Sequence, residues 1–433
     1  MKILIKNGRV INSATGFDEI CDLAIAASKV VAIKNIASDF VPNKTIDATG
    51  CIVAPGLVDL AARLREPGYE HEGMLQSELA AAVAGGVTSL VCMPDTDPVL
   101  DEPGLVEMLK FRAEKLHQSH VFPLGALTVN LKGEVLTEMV GLAEAGCVGF
   151  SQAEVPLGNT QVLQRALQYA STFGYTIWLR PQDMHLGKGV AASGALATRM
   201  GLSGVPVAAE TIALHTIFEL MKSTQAKVHI CRISSAAGVA LVRQAKAEGL
   251  QVSCDASINS LHLTDVDLGY FDSRARLNPP LRQQRDRDAL RAALLDGTID
   301  ALVSDHTPVD EDAKTLPFAE AEAGATGLEL LLSLALKWQS ESSDKSLTLA
   351  KTLATVTSQP AKVLSANLPV ANATLGQLVE GGAADICIFD PQAMWVVADD
   401  TLRSQGKHTP FSGYELPGQV RATLVSGHVA FER

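Results

Sequence analysis

Four arginines and a few carboxylates stand where apolar, strand-like runs of this 433-residue chain come to an end. Ala61, Arg63 and Arg65 follow "APGLVDL", Asp95 follows "LVCMP", Gln152 follows "VGFS", Arg180 follows "TIWL" and Arg232 follows "VHIC"; Asp305, with His306 beside it, follows "ALVS". A guanidinium stays charged at any relevant pH and presents a planar fork of donors that fits a carboxylate or another oxyanion. Two readings follow. Either Arg63, Arg65, Arg180 and Arg232 form a metal-free anion pocket, or one guanidinium fills the space between the strand ends and pairs with Asp305, the obvious partner because a buried charge needs one. Other chemistry is poorly marked. The chain has no G-x-S-x-G elbow, and "DASINS" and "RISSAAG" offer hydroxyls without a recognisable base. No G-x-G-x-x-G follows a strand, and no Cys-x-x-Cys marks a structural zinc site. His229 and Cys231, two apart on a strand, share a face, but a His and a thiol in an apolar strand are commonly packed core groups. His117 and His120 near a helix end are read as solvated, and His185 and His215 have no identifiable carboxylate neighbourhood.

For those strand ends to meet, the elements behind them must converge. Between about residues 54 and 374 apolar runs alternate with helical stretches, as in "YTIWLRP" before "AAETIALHTIFELMKS" and "AKVHICRIS" before "AAGVALVRQAKAEG". Strands apolar on both faces and separated by helices imply a parallel sheet covered by helices. At this repeat length a closed (β/α)8 barrel is the favoured form, with an open doubly wound sheet as the alternative. A barrel gathers residues just after each strand at its C-terminal face, where chemistry sits. Residues 1–53 and 375–433 read instead as short strands with turn signals, such as "KNGRV", "DATG" and "VRATLVSGHVAFER".

Composition narrows the class further. With 47% hydrophobic and 19% charged residues the chain can bury a large core. A net charge of −12 argues against a nucleic-acid partner. The N-terminus lacks the features of a signal peptide, and no apolar run reaches the roughly 18 residues of a membrane span, so a cytoplasmic location is expected. Seven scattered cysteines fit reduced core thiols better than a disulfide framework.

The motifs "APGLVDLAARLREPG", "MPDTDP", "ARLNPPLR", "LVSDHTP", "PFAEAEAGATGLELLL" and the closing "GKHTPFSGYELPGQVRATLVSGHVAFER" resemble, in that order, the dihydroorotases of the cyclic amidohydrolase superfamily. The resemblance covers nearly the whole chain. It implies a TIM-like (β/α)8 barrel over 54–374 and a small β-sandwich built from 1–53 plus 375–433. In that family one or two zinc ions activate water and polarise the amide carbonyl of the dihydroorotate ring. The resemblance implies that the zinc ligands fall at Ala61, Arg63, Gln152, Arg180, Arg232 and Asp305, so that five of the six positions carry no competent ligand and Asp305 is vestigial. Guanidinium groups near a dication add repulsion: at an effective dielectric of about 20, two unit charges ~4 Å apart repel by roughly 4 kcal/mol. No zinc or other cofactor is therefore expected.

From the substrate site the resemblance carries over Arg65 and Asn278, with His306 also kept. Asp95 stands where the family has an asparagine, and Val309 where it has a further histidine. The chain is most similar to the non-catalytic dihydroorotase-like subunits of bacterial aspartate transcarbamoylase complexes. That likeness implies a pseudoenzyme that assembles with the aspartate transcarbamoylase catalytic chain in pyrimidine biosynthesis, as a hetero-oligomer or homo-oligomer. The alternative is a divergent amidohydrolase acting on an anionic cyclic amide with altered or metal-free chemistry, or with a rebuilt zinc site using His229 or His306.

Overall fold

The computed structural model describes residues 1–365, 368 and 372–433. The closing stretch of the expected barrel span, residues 366, 367 and 369–371, lies outside the described residues. Eight parallel strands form the barrel: Leu57–Ala62, Val87–Cys92, His120–Pro123 continued by Gly125–Ala126, Phe150–Ser151, Thr176–Leu179, Lys227–Ile230, Val252–Ser257 and Ala301–Val303. The eighth strand meets the first through an Ala62–His306 bridge, in which the Arg63 amide donates to the His306 carbonyl at 2.9 Å and the His306 amide to the Ala61 carbonyl at 3.1 Å. Every residue of Leu57–Ala62 and Val87–Cys92 is buried, as a parallel sheet covered by helices requires. The closed barrel, not the open sheet, is the observed form.

Local chemistry explains the covering helices. Thr160–Phe173 starts where the Asn159 side chain accepts from the Gln161 and Val162 amides, and it stops at Gly174, whose φ of 75° a residue with a side chain rarely adopts. Its Leu163, Ala166, Leu167 and Ala170 share one stripe and are buried against the barrel. Each such leucine contributes about 1.5–3 kcal/mol. Among the described residues, no helix is long and apolar enough to cross a membrane.

The two chain ends build the terminal β-sandwich, whose strands are hydrogen bonded into an eight-stranded sheet. Ile3–Asn12 pairs with Phe17–Ala26 and with Ile52–Pro55, and Ile52–Pro55 pairs in turn with Ile386–Val396, which ties the C-terminal third of the sheet to the N-terminal part. Ile3, Ile5, Leu23, Ile25, Ile386 and Leu424 form its separate core. One part of 375–433 does not join the sheet. The segment around Arg403–Gln405 crosses to the barrel, where the Glu329 carboxylate accepts from the Arg403 amide at 2.8 Å and Glu78 accepts from the Gln405 amide at 3.0 Å. Buried carboxylates need donors, and this irregular stretch has unpaired backbone N–H groups to give.

Candidate functional site at the barrel mouth

At the C-terminal ends of the strands several residues with side chains adopt left-handed backbone conformations: Arg65 (φ 63°), Ala153 (φ 49°), Arg232 (φ 53°) and Asp305 (φ 52°). Such conformations cost of order 1–3 kcal/mol each and cluster where a fold holds side chains in fixed positions. Among them Arg232 joins Arg63 and Arg180 on one carboxylate that the sequence reading missed, Glu154, which follows the left-handed Ala153 and lies two residues beyond Gln152. Glu154 Oε1 accepts from Arg63 Nη2 at 2.7 Å and from Arg232 Nη2. Its Oε2 accepts from Arg180 Nη1 and Asn278 Nδ2, both at 2.8 Å.

The periphery closes the network. Arg63 Nε donates to Asp95 at 2.8 Å and Nη1 to Thr307 Oγ1 at 3.0 Å. Arg232 Nη1 donates to Asp305 at 3.0 Å, and Arg180 Nη2 to Asn278 Oδ1 at 2.5 Å. Three guanidiniums face three carboxylates, so the cluster is neutral. Burial alone would raise the Glu154 carboxyl, but Arg232, Arg180 and Arg63 overcome it and hold the group well below the usual carboxylate range. Burial brings Arg180 down to about 10, which leaves it charged at neutral pH. Asp305 is raised by burial against the pull of Arg232 and Arg63.

Of these residues all but Arg180 line a cavity of about 220 Å³, completed by Arg65, Leu277, Glu322 and Ala323–Ala325. Arg65 is not free to take a substrate carboxylate. Its Nε donates to the Pro308 carbonyl at 2.8 Å and lies 2.7 Å from Glu72, with Glu322 a further 3.6 Å from Nη2. With Asp95 and Glu322 in the wall and all four arginines already paired, the anion-pocket reading gives way to the ion-pair reading.

Two expected site residues belong to the frame instead. Gln152 turns from the cavity: its Nε2 donates to the Leu131 carbonyl at 2.6 Å and its Oε1 accepts from Thr128 Oγ1 at 2.9 Å, which holds the 128–133 turn against the fourth strand. His306 is fully buried and does not line the cavity. Its Nδ1 accepts from the Gly327 amide at 3.1 Å, so Nε2 carries the proton and donates to Glu78 at 2.9 Å. Asp59, also fully buried, accepts from the Ser304 amide and hydroxyl and joins strands one and eight. Burial raises its carboxyl to about 7, against those hydrogen bonds.

Inside the barrel His229, Cys231 and Asp255 bring ligand-type atoms within 4.8 Å of one another. Both imidazole nitrogens are occupied, Nδ1 by Ser253 Oγ and Nε2 by Asp255, each at 2.8 Å, and Asp255 also accepts the Arg232 amide at 2.6 Å. Burial pushes the Cys231 thiol well above its ordinary value, away from the thiolate a metal needs. Although hydroxyl, imidazole and carboxylate stand in line, His229 and Asp255 are fully buried and no substrate reaches them. Their role is to hold Arg232 at the mouth. His120 is half-buried and lies 3.3 Å from Asp385, so it is not simply solvated.

Zinc does not fit the residues at the mouth. Ala61 has no donor atom, Gln152 is bonded elsewhere, and Arg63, Arg180 and Arg232 fill the space between strand ends with fixed positive charge.

An eight-stranded barrel carrying a sandwich from both chain ends, with its strand-end residues gathered at the C-terminal mouth, is the architecture of the amidohydrolases. Residues 50–237 match the family profile described as Dihydro-orotase-like. The chain is 43% identical over 433 residues to a "Dihydroorotase-like protein" of Pseudomonas aeruginosa, covering 100% of both chains. It is 38% identical over 434 residues to a "Dihydroorotase" of Geobacter metallireducens, again covering 100% of both. Among solved structures, the L-hydantoinase (dihydropyrimidinase) from Arthrobacter aurescens superposes with a TM-score of 0.87 at 25% identity, covering 99% of this chain and 96% of that one. The chain belongs to the dihydroorotase-like family.

Proposed function

We propose that this chain is a catalytically inactive member of its family that serves as a structural, assembly subunit for the aspartate transcarbamoylase catalytic chain in pyrimidine biosynthesis. The observation that carries the reading is Glu154, held by Arg63, Arg180 and Arg232 where the resemblance expects metal ligands. Water activation needs neutral histidines and free carboxylates around a cation, and these residues have been exchanged for a self-neutralising cluster. Meanwhile the frame, Asp59 on Ser304 and His306 on Glu78, keeps the barrel closed. A fold maintained without its chemistry supports a role that depends on shape. Some relatives at the same coverage carry the name "Dihydroorotase" and others "Dihydroorotase-like protein", which is consistent with a family holding both kinds.

Metal analysis and a dihydroorotate turnover assay on the purified chain test the first half. The expected results are no bound zinc and no chelator-sensitive turnover; one tightly bound zinc per chain would sink the reading. Mixing the chain with the aspartate transcarbamoylase of its own organism, and following mass and activity, tests the second half. Arg63→His is expected to bind no zinc, because Ala61, Gln152, Arg180 and Arg232 still supply no ligand. The remaining cavity of about 220 Å³ keeps a second reading in play, a metal-free amidohydrolase acting on a small cyclic amide. Turnover without metal, abolished by Glu154→Gln, is the result that would favour it.

A further inference from the structure

One rim of the mouth presents aromatic side chains to water on a loop that is firmly held. Between Thr264 and Asn278 the chain exposes 69% of Val266, 48% of Phe271 and the whole of Tyr270. Gly269 (φ 51°) and Phe271 (φ 65°) both lie in the left-handed region, which for a phenylalanine is uncommon and strained. The tip is anchored at its start by a capping box, in which the Thr264 amide donates to Asp267 at 2.7 Å. At its base lies a buried lysine from the neighbouring loop. Lys314 Nζ donates to the carbonyls of Ser273 at 3.1 Å, Arg276 at 3.0 Å and Glu322 at 2.6 Å, so all three ammonium protons are spent on clamping the two loops together. The Gly324 amide adds a bond to the Arg276 carbonyl at 3.1 Å. Leu277, Asn278 and Glu322 on the inner side of this loop pair line the cavity, so the pair forms part of its rim.

The charge of the rim is one-sided. Residues 265–276 and 310–322 hold eight carboxylates against three cations. The cations are not free: Arg274 is bound by Asp272, Lys314 is buried, and Arg276 donates to the Leu277 carbonyl. Exposed Tyr and Phe on a preorganised backbone are the residues that anchor protein interfaces, at little entropic cost. Surrounding acids select a basic partner and repel an anionic lipid surface or nucleic acid. A second copy of this chain is a poor fit, since an isologous contact sets the acidic rim against itself on a chain already carrying −12.

Resting on the assembly role proposed above, we infer that the Tyr270–Phe271 tip and its acidic rim are the docking surface for the partner protein. That partner presents an apolar recess ringed by Lys and Arg.

The test measures association of the full chain with purified aspartate transcarbamoylase catalytic chain by titration and gel filtration. Tyr270→Ser with Phe271→Ser is expected to weaken the complex at least about tenfold. Glu311→Lys with Glu320→Lys, both exposed, is expected to weaken it several-fold and to flatten its salt dependence. Phe111→Ser, on the outer helix Pro103–Lys115 and 59% exposed, is the control and is expected to bind as the unsubstituted chain does. If both rim variants keep wild-type thermal midpoints and bind within about twofold of wild type, the surface is overturned while the assembly role stands. If the unsubstituted chain does not associate at all, the assembly role fails and takes this surface with it. A concentration-dependent dimer of the chain alone, abolished by the aromatic substitutions, would give the tip to a second copy and likewise overturn the inference.

Discussion

Two carboxylates of this barrel, Glu154 and Glu78, show how differently a fold treats a charge. Glu78 is fully buried and answered by the neighbouring Ser77 hydroxyl and by the His306 and Ser404 side chains and the Gln405 amide, the last three of which join elements together. Glu154 keeps 30% of its side chain exposed through the cavity and is answered by three guanidiniums. The first arrangement is a structural joint with its hydrogen bonds distributed. The second concentrates cations that would repel one another if the common anion were removed. Frame and mouth therefore fail in different ways when altered.

Glu154→Gln is expected to have the largest effect. It strands Arg63, Arg180 and Arg232 within reach of one another, with only Asp95 and Asp305 left as counter-charges, and breaking such a pair costs about 3–5 kcal/mol. Denaturant unfolding checks it, and a loss below about 1 kcal/mol would mean that water screens the cluster far more than its geometry implies. His306→Ala should cost less, about 2–3 kcal/mol, because Glu78 retains three other donors while the Gly327 amide and a small void are left behind.

The pH dependence separates the regions by sign. The Glu154 carboxyl is depressed in the folded state, so its contribution is present above its unfolded value of about 4.3 and is lost as pH falls below that. Asp59 is raised to about 7, so its contribution is present below its unfolded value and is lost as pH rises through 7. Stability measured across this range is expected to lose its acid limb in Glu154→Gln and its limb between about pH 4 and 7 in Asp59→Asn. The reverse assignment would contradict the burial argument for both. The smallest effect belongs to Asp95→Asn: Arg63 keeps Glu154 and Thr307, and the expected loss is under about 1 kcal/mol.

Part of the mouth was legible because strand ends can be read from apolar runs. Arg63, Arg180, Arg232, Asp95 and Asp305 all reach the cluster from positions that the alternation of strand and helix marks, and Asn278 from one that only the family resemblance implied. Glu154 was missed because it lies past the strand, in "SQAEVPLG", where a carboxylate in a loop is usually solvated. Charge counting offered a signal. Three arginines converging on one barrel end need more than Asp305, and Glu154 is the acid next after the fourth strand. Gln152 and His306 erred the other way: both sit at the mouth in sequence, yet their side chains turn into the frame, each next to a single left-handed residue, Ala153 or Asp305, that the sequence does not mark.

The sequence by itself determined the alternation of strands and helices, the β-rich chain ends and which residue types stand at the strand ends, because periodicity and residue type are local properties of the chain. Only the tertiary structure decided that the arginines are spent on one another's counter-ions rather than offered to a ligand. It also decided that a buried lysine ties the aromatic-tipped loop to its neighbour at the rim. Those outcomes rest on which atoms lie within about 3 Å of each other, and hydrogen bonds between residues 98 positions apart, as from Arg180 to Asn278, or 244 apart, as from Arg63 to Thr307, depend on closure of the barrel.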